Sequence, residues 1–182
     1  LEALPPLEQE VREHSAFAAD LACPEFFVGR ADVLEKIEHY LGSPCRQPLA
    51  ITGPSGVGKS ALLAHAAQTA ARNSGCVFVA RYVGATAASA SVRSLLEFVC
   101  EQIGTAYGDT RPIPKDYVAL VEVLPVRLAN AKQGKPLLVI FRCIPCEACQ
   151  ELDDDVARRD RIVADVMDRF VCVRIPQANA ID

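Results

Sequence analysis

No stretch of this sequence approaches the roughly 20 uninterrupted apolar residues that a membrane-spanning helix requires. Its first ten residues are acidic, where a secretory leader is basic and then apolar. A soluble, cytoplasmic chain without an export signal is therefore expected. There is no tryptophan, aromatic residues make up 6%, and the Lys and Arg of residues 46–135 are scattered singly. With no basic run and no aromatic stacking face, nucleic acid is not the expected partner. The three histidines, His14, His39 and His65, stand apart with no evident Ser or Cys partner, so a hydrolytic triad is unsupported. Internal repeats and low-complexity tracts are also missing. What remains is 182 residues, 51% hydrophobic and 23% charged, with ten Gly and twelve Pro. That composition excludes disordered, collagen-like and coiled-coil chains and allows one core, or one core plus a fragment. The chain does not start with Met, so it is expected to be a fragment or a processed product.

The net charge of −4 conceals three blocks: residues 1–40 carry −6, residues 46–135 carry +5 and residues 136–182 carry −3. The basic middle favours a polyanionic ligand. Eight cysteines are many for a cytosolic chain yet far too few for a disulfide scaffold, and Cys143, Cys146 and Cys149 crowd into seven positions. Such crowding points to thiol chemistry or metal rather than stapling. Cys23, Cys45, Cys76 and Cys100 stand singly and read as reduced thiols.

Along the chain, residues 1–23 contain Pro5-Pro6 and a short helix-compatible piece at 7–17, and read as a linker. Residues 31–41 place Val33, Leu34, Ile37, Tyr40 and Leu41 at helical spacing. From Pro48 the pattern turns to strand, loop and helix: an apolar run at 49–52, a Gly-rich turn, then a helix over 59–71. Further strands are expected at 76–82, 137–141 and 170–175. Helices are expected at 91–103, closed by Gly104, at 117–131 with Pro125 as a kink or break, and at about 149–167. Strands alternating with helices at this spacing argue for an α/β layered domain on a parallel sheet.

Between the first strand and its helix, Gly53-Pro54-Ser55-Gly56-Val57-Gly58-Lys59-Ser60 matches G-x-x-x-x-G-K-[ST] in the context the motif requires. Its glycines let backbone N–H groups turn inward around phosphate oxygens, and the helix N-terminus, running on through Ala61, adds positive dipole. Lys59 bridges the outer phosphates in such a loop, and the Ser60 hydroxyl is the expected Mg²⁺ ligand. The bland alternative is a glycine-rich turn that binds nothing.

Phe27-Val28-Gly29-Arg30 followed by Leu34 resembles the F-V-G-R-x-x-E-L segment of STAND-type ATPases, the NACHT-like relatives of the AAA proteins, with Val33 at the position usually held by Glu. The resemblance implies that Val28, Gly29 and Arg30 help hold the adenine. Arg81-Tyr82-Val83-Gly84, Ser94-Leu95-Leu96, Cys100-Glu101-Gln102-Ile103 and Pro114-Lys115-Asp116-Tyr117 are likewise similar to NACHT-type modules of large scaffold proteins. The resemblance spans residues 25–140 and implies ATP or GTP bound with Mg²⁺. It also implies protein partners or self-association through flanking regions.

In that family the strand after Lys-Pro ends in an acid that orders Mg²⁺ and its water. Counting from Lys135-Pro136, the acid should fall at position 142, where this chain has Arg142. A cation cannot ligate Mg²⁺, so nucleotide binding is expected while nucleoside triphosphatase activity is left open by Arg142. Glu147 or Asp153-Asp154-Asp155 would substitute only if the loop folded back; otherwise the acidic run is a solvated helix face.

From Lys135 onward a second resemblance begins. Cys143-Ile144-Pro145-Cys146 places C-x-P-C between an apolar strand and a helix, and with Phe170-Val171-Cys172-Val173-Arg174-Ile175-Pro176 it resembles part of a thioredoxin-like protein. On that reading Cys143 is the nucleophile and Cys146 the resolving thiol. Zinc or an iron–sulfur cluster on Cys143, Cys146, Cys149 and Cys172, or plain reduced thiols, are the alternatives.

Taken together, the expected fold is α/β, with the three-layer parallel sheet of the P-loop NTPases. Residues 1–24 are the N-terminal linker, 25–140 the nucleotide-binding domain, and 141–182 either complete the sheet or form a thioredoxin-like segment. If they complete it, Gln177 or Asn179 beyond the last strand would face the γ-phosphate. The expected function is a nucleotide-dependent switch, and the alternative is a thiol-disulfide module on Cys143 and Cys146.

Overall fold

The computed structural model describes residues 3–23, 25, 29–43, 49–53, 56–72, 77–131, 137–143 and 171–174. Within them the helices are α1 (Pro6–Leu21), α2 (Ala31–Gly42), α3 (Lys59–Ala71), α4 (Val92–Tyr107) and α5 (Tyr117–Ala131). The strands are β1 (Leu49–Thr52), β2 (Val77–Val83), β3 (Leu137–Cys143) and β4 (Val171–Arg174). The chain divides into two compact units, Leu1–Leu21 with Ala67–Ile144, and Ala22–Ala66 with Pro145–Asp182. Among the described residues, no helix is long and apolar enough to cross a membrane.

In the second unit β1 pairs with β4 in parallel, with Leu49 opposite Val171 and Thr52 opposite Arg174. Parallel neighbours need a crossover connection, so the 49–52 strand and the chain more than a hundred residues later share one layer. Val33 and Ile37 of α2 and Leu62 and Ala66 of α3 form the buried cluster here, and Leu49 and Ile51 of β1 pack on it. Leu49 and Ile51 are two apart, as one face of a strand requires. Val57 of the glycine-rich loop joins the same cluster and anchors the loop to the core.

In the first unit β2 and β3 pair in parallel from Val77 opposite Leu137 to Val83 opposite Cys143. Side chains alternate along β2. Val79 packs with Val99 and Ile103 of α4, while Tyr82 meets His14 and Phe17 of α1. Tyr107 of α4 and Leu124 and Leu128 of α5 pack around the Val79 cluster. Helix α1 begins with Pro6, whose missing N–H and fixed φ suit a first helical position, and its first backbone bond is Gln9 N–H to Pro5 O. The helix runs to Leu21, well past the short piece expected at 7–17.

Helix α4 also ends later than the sequence suggests. Gly104 does not close α4; it is a buried interior residue, and the helix continues to Tyr107. Gly108, at φ 71°, is the left-handed cap: Asp109 N–H reaches Gly104 O at 2.8 Å and Gly108 N–H reaches Thr105 O at 3.4 Å. That pair of bonds is a Schellman ending, which glycine completes without Cβ strain. Helix α5 is not broken at Pro125 and runs through it, capped at its start by Asp116, whose carboxylate accepts the Ala119 N–H at 3.0 Å. Strand β3 also runs two residues beyond the expected 137–141, so Arg142 and Cys143 are strand residues, paired with Tyr82 and Val83. The helix expected at 149–167 lies outside the described residues.

Candidate phosphate-binding site

The glycine-rich loop joins β1 to α3. Gly56 and Gly58 have φ of 76° and 90°, conformations that L side chains rarely adopt, and open space lies where a Cβ would stand on either. The first backbone bond of α3 is Leu62 N–H to Gly58 O at 2.9 Å. The positive end of the helix, at Lys59, Ser60 and Ala61, therefore sits directly after the turn. Lys59 is only 3% exposed, and its Nζ donates to Gly53 O at 2.5 Å, tying the end of the loop to its beginning.

Left-handed glycines, a helix N-terminus and a lysine ammonium together are complementary in charge to a phosphate chain. The residues present fit a nucleotide with Mg²⁺: backbone groups and Lys59 suit phosphate oxygens, and Ser60, in the first turn of α3, suits the metal.

Ahead of α2, Gly29 (φ 81°) and Arg30 (φ 63°) are consecutive left-handed residues. Arg30 is the non-glycine residue with positive φ among the described residues, and its carbonyl accepts Val33 N–H and Leu34 N–H. Holding an arginine there costs about 1–2 kcal/mol. The turn gives the 29–30 segment a fixed shape at the start of the helix that packs on α3. Of the other sequence candidates, Val28, Pro54, Ser55, Cys146, Cys149, Glu147, Asp153–Asp155, Gln177 and Asn179 lie outside the described residues, as do Cys45 and Cys76. Cys23 and Cys100 are free thiols. Burial pushes the Cys100 thiol above its ordinary range, although Arg127 pulls the other way.

The family described as an AAA domain matches residues 45–140, more than half of the chain. The chain belongs to the AAA domain family. As an AAA domain it is a P-loop NTPase domain with an α/β fold, and the matched span contains the whole 53–61 loop, β2 and the first four residues of β3. A thioredoxin-like family matches residues 124–181, where the second resemblance in the sequence falls. Among curated proteins, the human NACHT domain- and WD repeat-containing protein 1 is 34% identical over 113 residues, 59% of this chain and 7% of that protein. The human NACHT and WD repeat domain-containing protein 2 is 29% identical over 161 residues, 81% of this chain and 9% of that protein. The AAA domain described here thus spans less than a tenth of these relatives. No solved structure matches.

Sequence reading missed several buried polar residues away from the loop. Glu10, His14, Arg81, Ser89 and Arg127 are each at most 5% exposed. The Glu10–His14 spacing of four, which puts both on one helix face, was the available signal. Arg127 gave a fainter one, as the one cation of a mostly apolar helix.

Proposed function

We propose that this domain binds ATP or GTP with Mg²⁺ and uses occupancy to switch conformation or assembly within a longer cytoplasmic protein. The loop geometry carries the reading: two left-handed glycines, the start of α3, and Lys59 drawn across the loop. In this reading the backbone from Gly53 through Ala61, including Pro54 and Ser55, wraps the phosphates and Lys59 neutralises the outer ones. Ser60 holds the metal, and Val28, Gly29 and Arg30 hold the base. Mg²⁺, when bound, supplies Lewis-acid neutralisation of phosphate charge. With Arg142 in place of the metal-ordering acid, hydrolysis is slow or absent and the bound state persists.

The finer architecture belongs to the same proposal. Residues 25–140 form the nucleotide-binding domain, residues 1–24 lead into it, and residues 141–182 add to a three-layer parallel sheet. The β1–β4 pairing supports this, because it places a strand from the last segment beside the strand that feeds the loop. Protein partners or self-association come through flanking regions, in keeping with relatives far longer than this chain. Labelled-ATP binding by the wild type and Lys59→Ala is the test. Binding that weakens at least tenfold on substitution is expected, and no binding, or equal binding, would reject the reading.

The thioredoxin-like match favours a second reading. Here the Cys143 thiolate attacks a substrate disulfide to form a mixed disulfide and release one thiolate. Cys146 then displaces the other, so two electrons pass from the dithiol to the substrate. Insulin reduction by the wild type and Cys143→Ser decides it, since equal rates exclude Cys143 as the nucleophile.

A further inference from the structure

Helix α1 is held to its unit by polar atoms. Its buried residues are Glu10, His14 and Ala18, one stripe at i, i+4 and i+8. Its apolar contribution at β2 is modest: the Phe17 ring sits tilted on Tyr82 at 5.3 Å between centroids, and the His14 ring stacks on Tyr82 at 6.1 Å.

The hydrogen bonds fix the histidine tautomer. Tyr82 N–H donates to His14 Nδ1 at 3.1 Å, so Nδ1 carries a lone pair, and the ring proton is on Nε2, which donates to Glu10 Oε1 at 2.9 Å. The same Glu10 oxygen accepts from Thr86 Oγ1 at 2.8 Å. Thr86 is itself locked to Ser89, each side-chain oxygen accepting the other's backbone N–H at 2.9 Å. One neutral imidazole therefore joins α1 to the β2 backbone, and its carboxylate partner joins α1 to the turn after β2. His14 is 2% exposed, so water cannot replace a lost bond.

A second proton on this imidazole has one place to go, Nδ1. Protonation there turns the acceptor into a donor pointing at another donor, the Tyr82 N–H. We infer that α1 is an acid-released latch: protonation of His14 removes the bond that holds the helix to β2 and frees α1 while the α4–α5 layer stays folded. Among the described residues, the charged groups acting on His14 are Glu10 and Glu13 of α1 and Arg81 of β2, with the neutral Tyr82 phenol stacked on it and none from α4. Burial holds His14 below the ordinary histidine range and Arg81 adds to this, against the opposing pull of Glu10 and Glu13. Docked α1 thus prefers neutral histidine and released α1 does not, so release grows as pH falls below about 6.5.

Amide hydrogen exchange on the full chain across pH 7.5 to 5, corrected for intrinsic rates, tests the latch. Opening of α1 should rise by up to tenfold for each pH unit lost below about 6.5, while amides of α4 around Val99 and Ile103 keep their protection. Loss of protection in α1 and α4 together would overturn the proposal. In His14→Asn, whose side-chain oxygen still offers an acceptor but cannot titrate, the opening of α1 should lose its pH dependence; retained dependence would overturn it. Glu10→Gln should enlarge the rise in α1 opening between pH 7.5 and 5, because the carboxylate favours the imidazolium of docked α1 and its loss disfavours the protonated docked form further. A smaller rise than in the wild type would show that another group titrates.

Discussion

Gly104, in the interior of α4, leaves the space that the Arg127 guanidinium of α5 occupies: a Cβ on Gly104 would overlap Nη1 and touch the Asp109 carbonyl. Arg127 cannot easily withdraw. Its Nη1 donates to Cys100 O and its Nη2 to Arg111 O, both at 2.5 Å, and Asp109 pairs with its Nε at 3.6 Å. Arg127 is 2% exposed, so this brace between α4 and α5 lies within the layer and not on its surface.

Gly104→Ala should therefore destabilise the chain, although alanine is worth about 1 kcal/mol more than glycine in a helix. Overpacking of about 1–3 kcal/mol outweighs that gain. Urea unfolding of Gly104→Ala, Arg127→Ala and the double variant measures the relationship. The double variant should be more stable than the sum of the single effects by about 1 kcal/mol or more. Strict additivity would show that the two residues do not share the space.

Tyr82 has the opposite balance. It is fully buried, and its hydroxyl has no hydrogen-bond partner among the described residues. An unsatisfied buried hydroxyl is a cost, so Tyr82→Phe should be neutral or stabilising by up to about 1 kcal/mol. Burial also pushes the phenol up to about 12. The unfolded chain, with a phenol near the ordinary value of about 10, ionises first. The phenol's contribution is therefore complete below pH 10 and is lost as pH rises toward 12. Denaturant melts at pH 8, 10 and 11 should show the advantage of Tyr82→Phe growing with pH; a constant difference would mean the phenol reaches water in the folded chain.

Asp116 caps α5 through its carboxylate to Ala119 N–H, and its own carbonyl accepts Leu120 N–H. Asp116→Ala should cost about 1 kcal/mol. Asp116→Asn, which keeps an acceptor oxygen, should recover most of it. Chemical denaturation distinguishes the two. Equal losses would assign the effect to charge at the helix start and not to the hydrogen bond.

What the sequence made legible was what local chemistry decides. Helix α3 and helix α5 have the expected bounds, because both are read from local runs of helix-forming residues, Ala- and Leu-rich over 59–71 and Val- and Leu-rich over 117–131. The loop motif was complete within eight residues, and Gly56 and Gly58 within it adopt left-handed φ. Gly104 was misread as a stop because its role is set by Arg127, 23 positions away in the chain. The same holds for His14, whose acceptor role depends on a backbone N–H in β2, 68 residues distant. Pro125 did not end its helix, because packing of Leu120, Leu124 and Leu128 holds the turn on either side. Long-range partners of this kind leave no periodic trace in a single sequence.

Gly58 allows a local test of the loop. Its φ of 90° forbids a side chain on conformational grounds, yet nothing lies within 4 Å of where a Cβ would be. The cost of Gly58→Ala is therefore backbone strain of about 1–2 kcal/mol, not a clash. Gly42, at the end of α2, is equally open but carries no such φ, and Gly42→Ala should be neutral or mildly stabilising. Thermal melts of both variants with and without Mg-ATP separate stability from binding, since a ligand of the folded state raises the midpoint. The nucleotide-induced rise should persist in Gly42→Ala and shrink or vanish in Gly58→Ala, where the distorted turn no longer presents its N–H groups to the phosphates. A rise of equal size in both would mean that the nucleotide binds elsewhere.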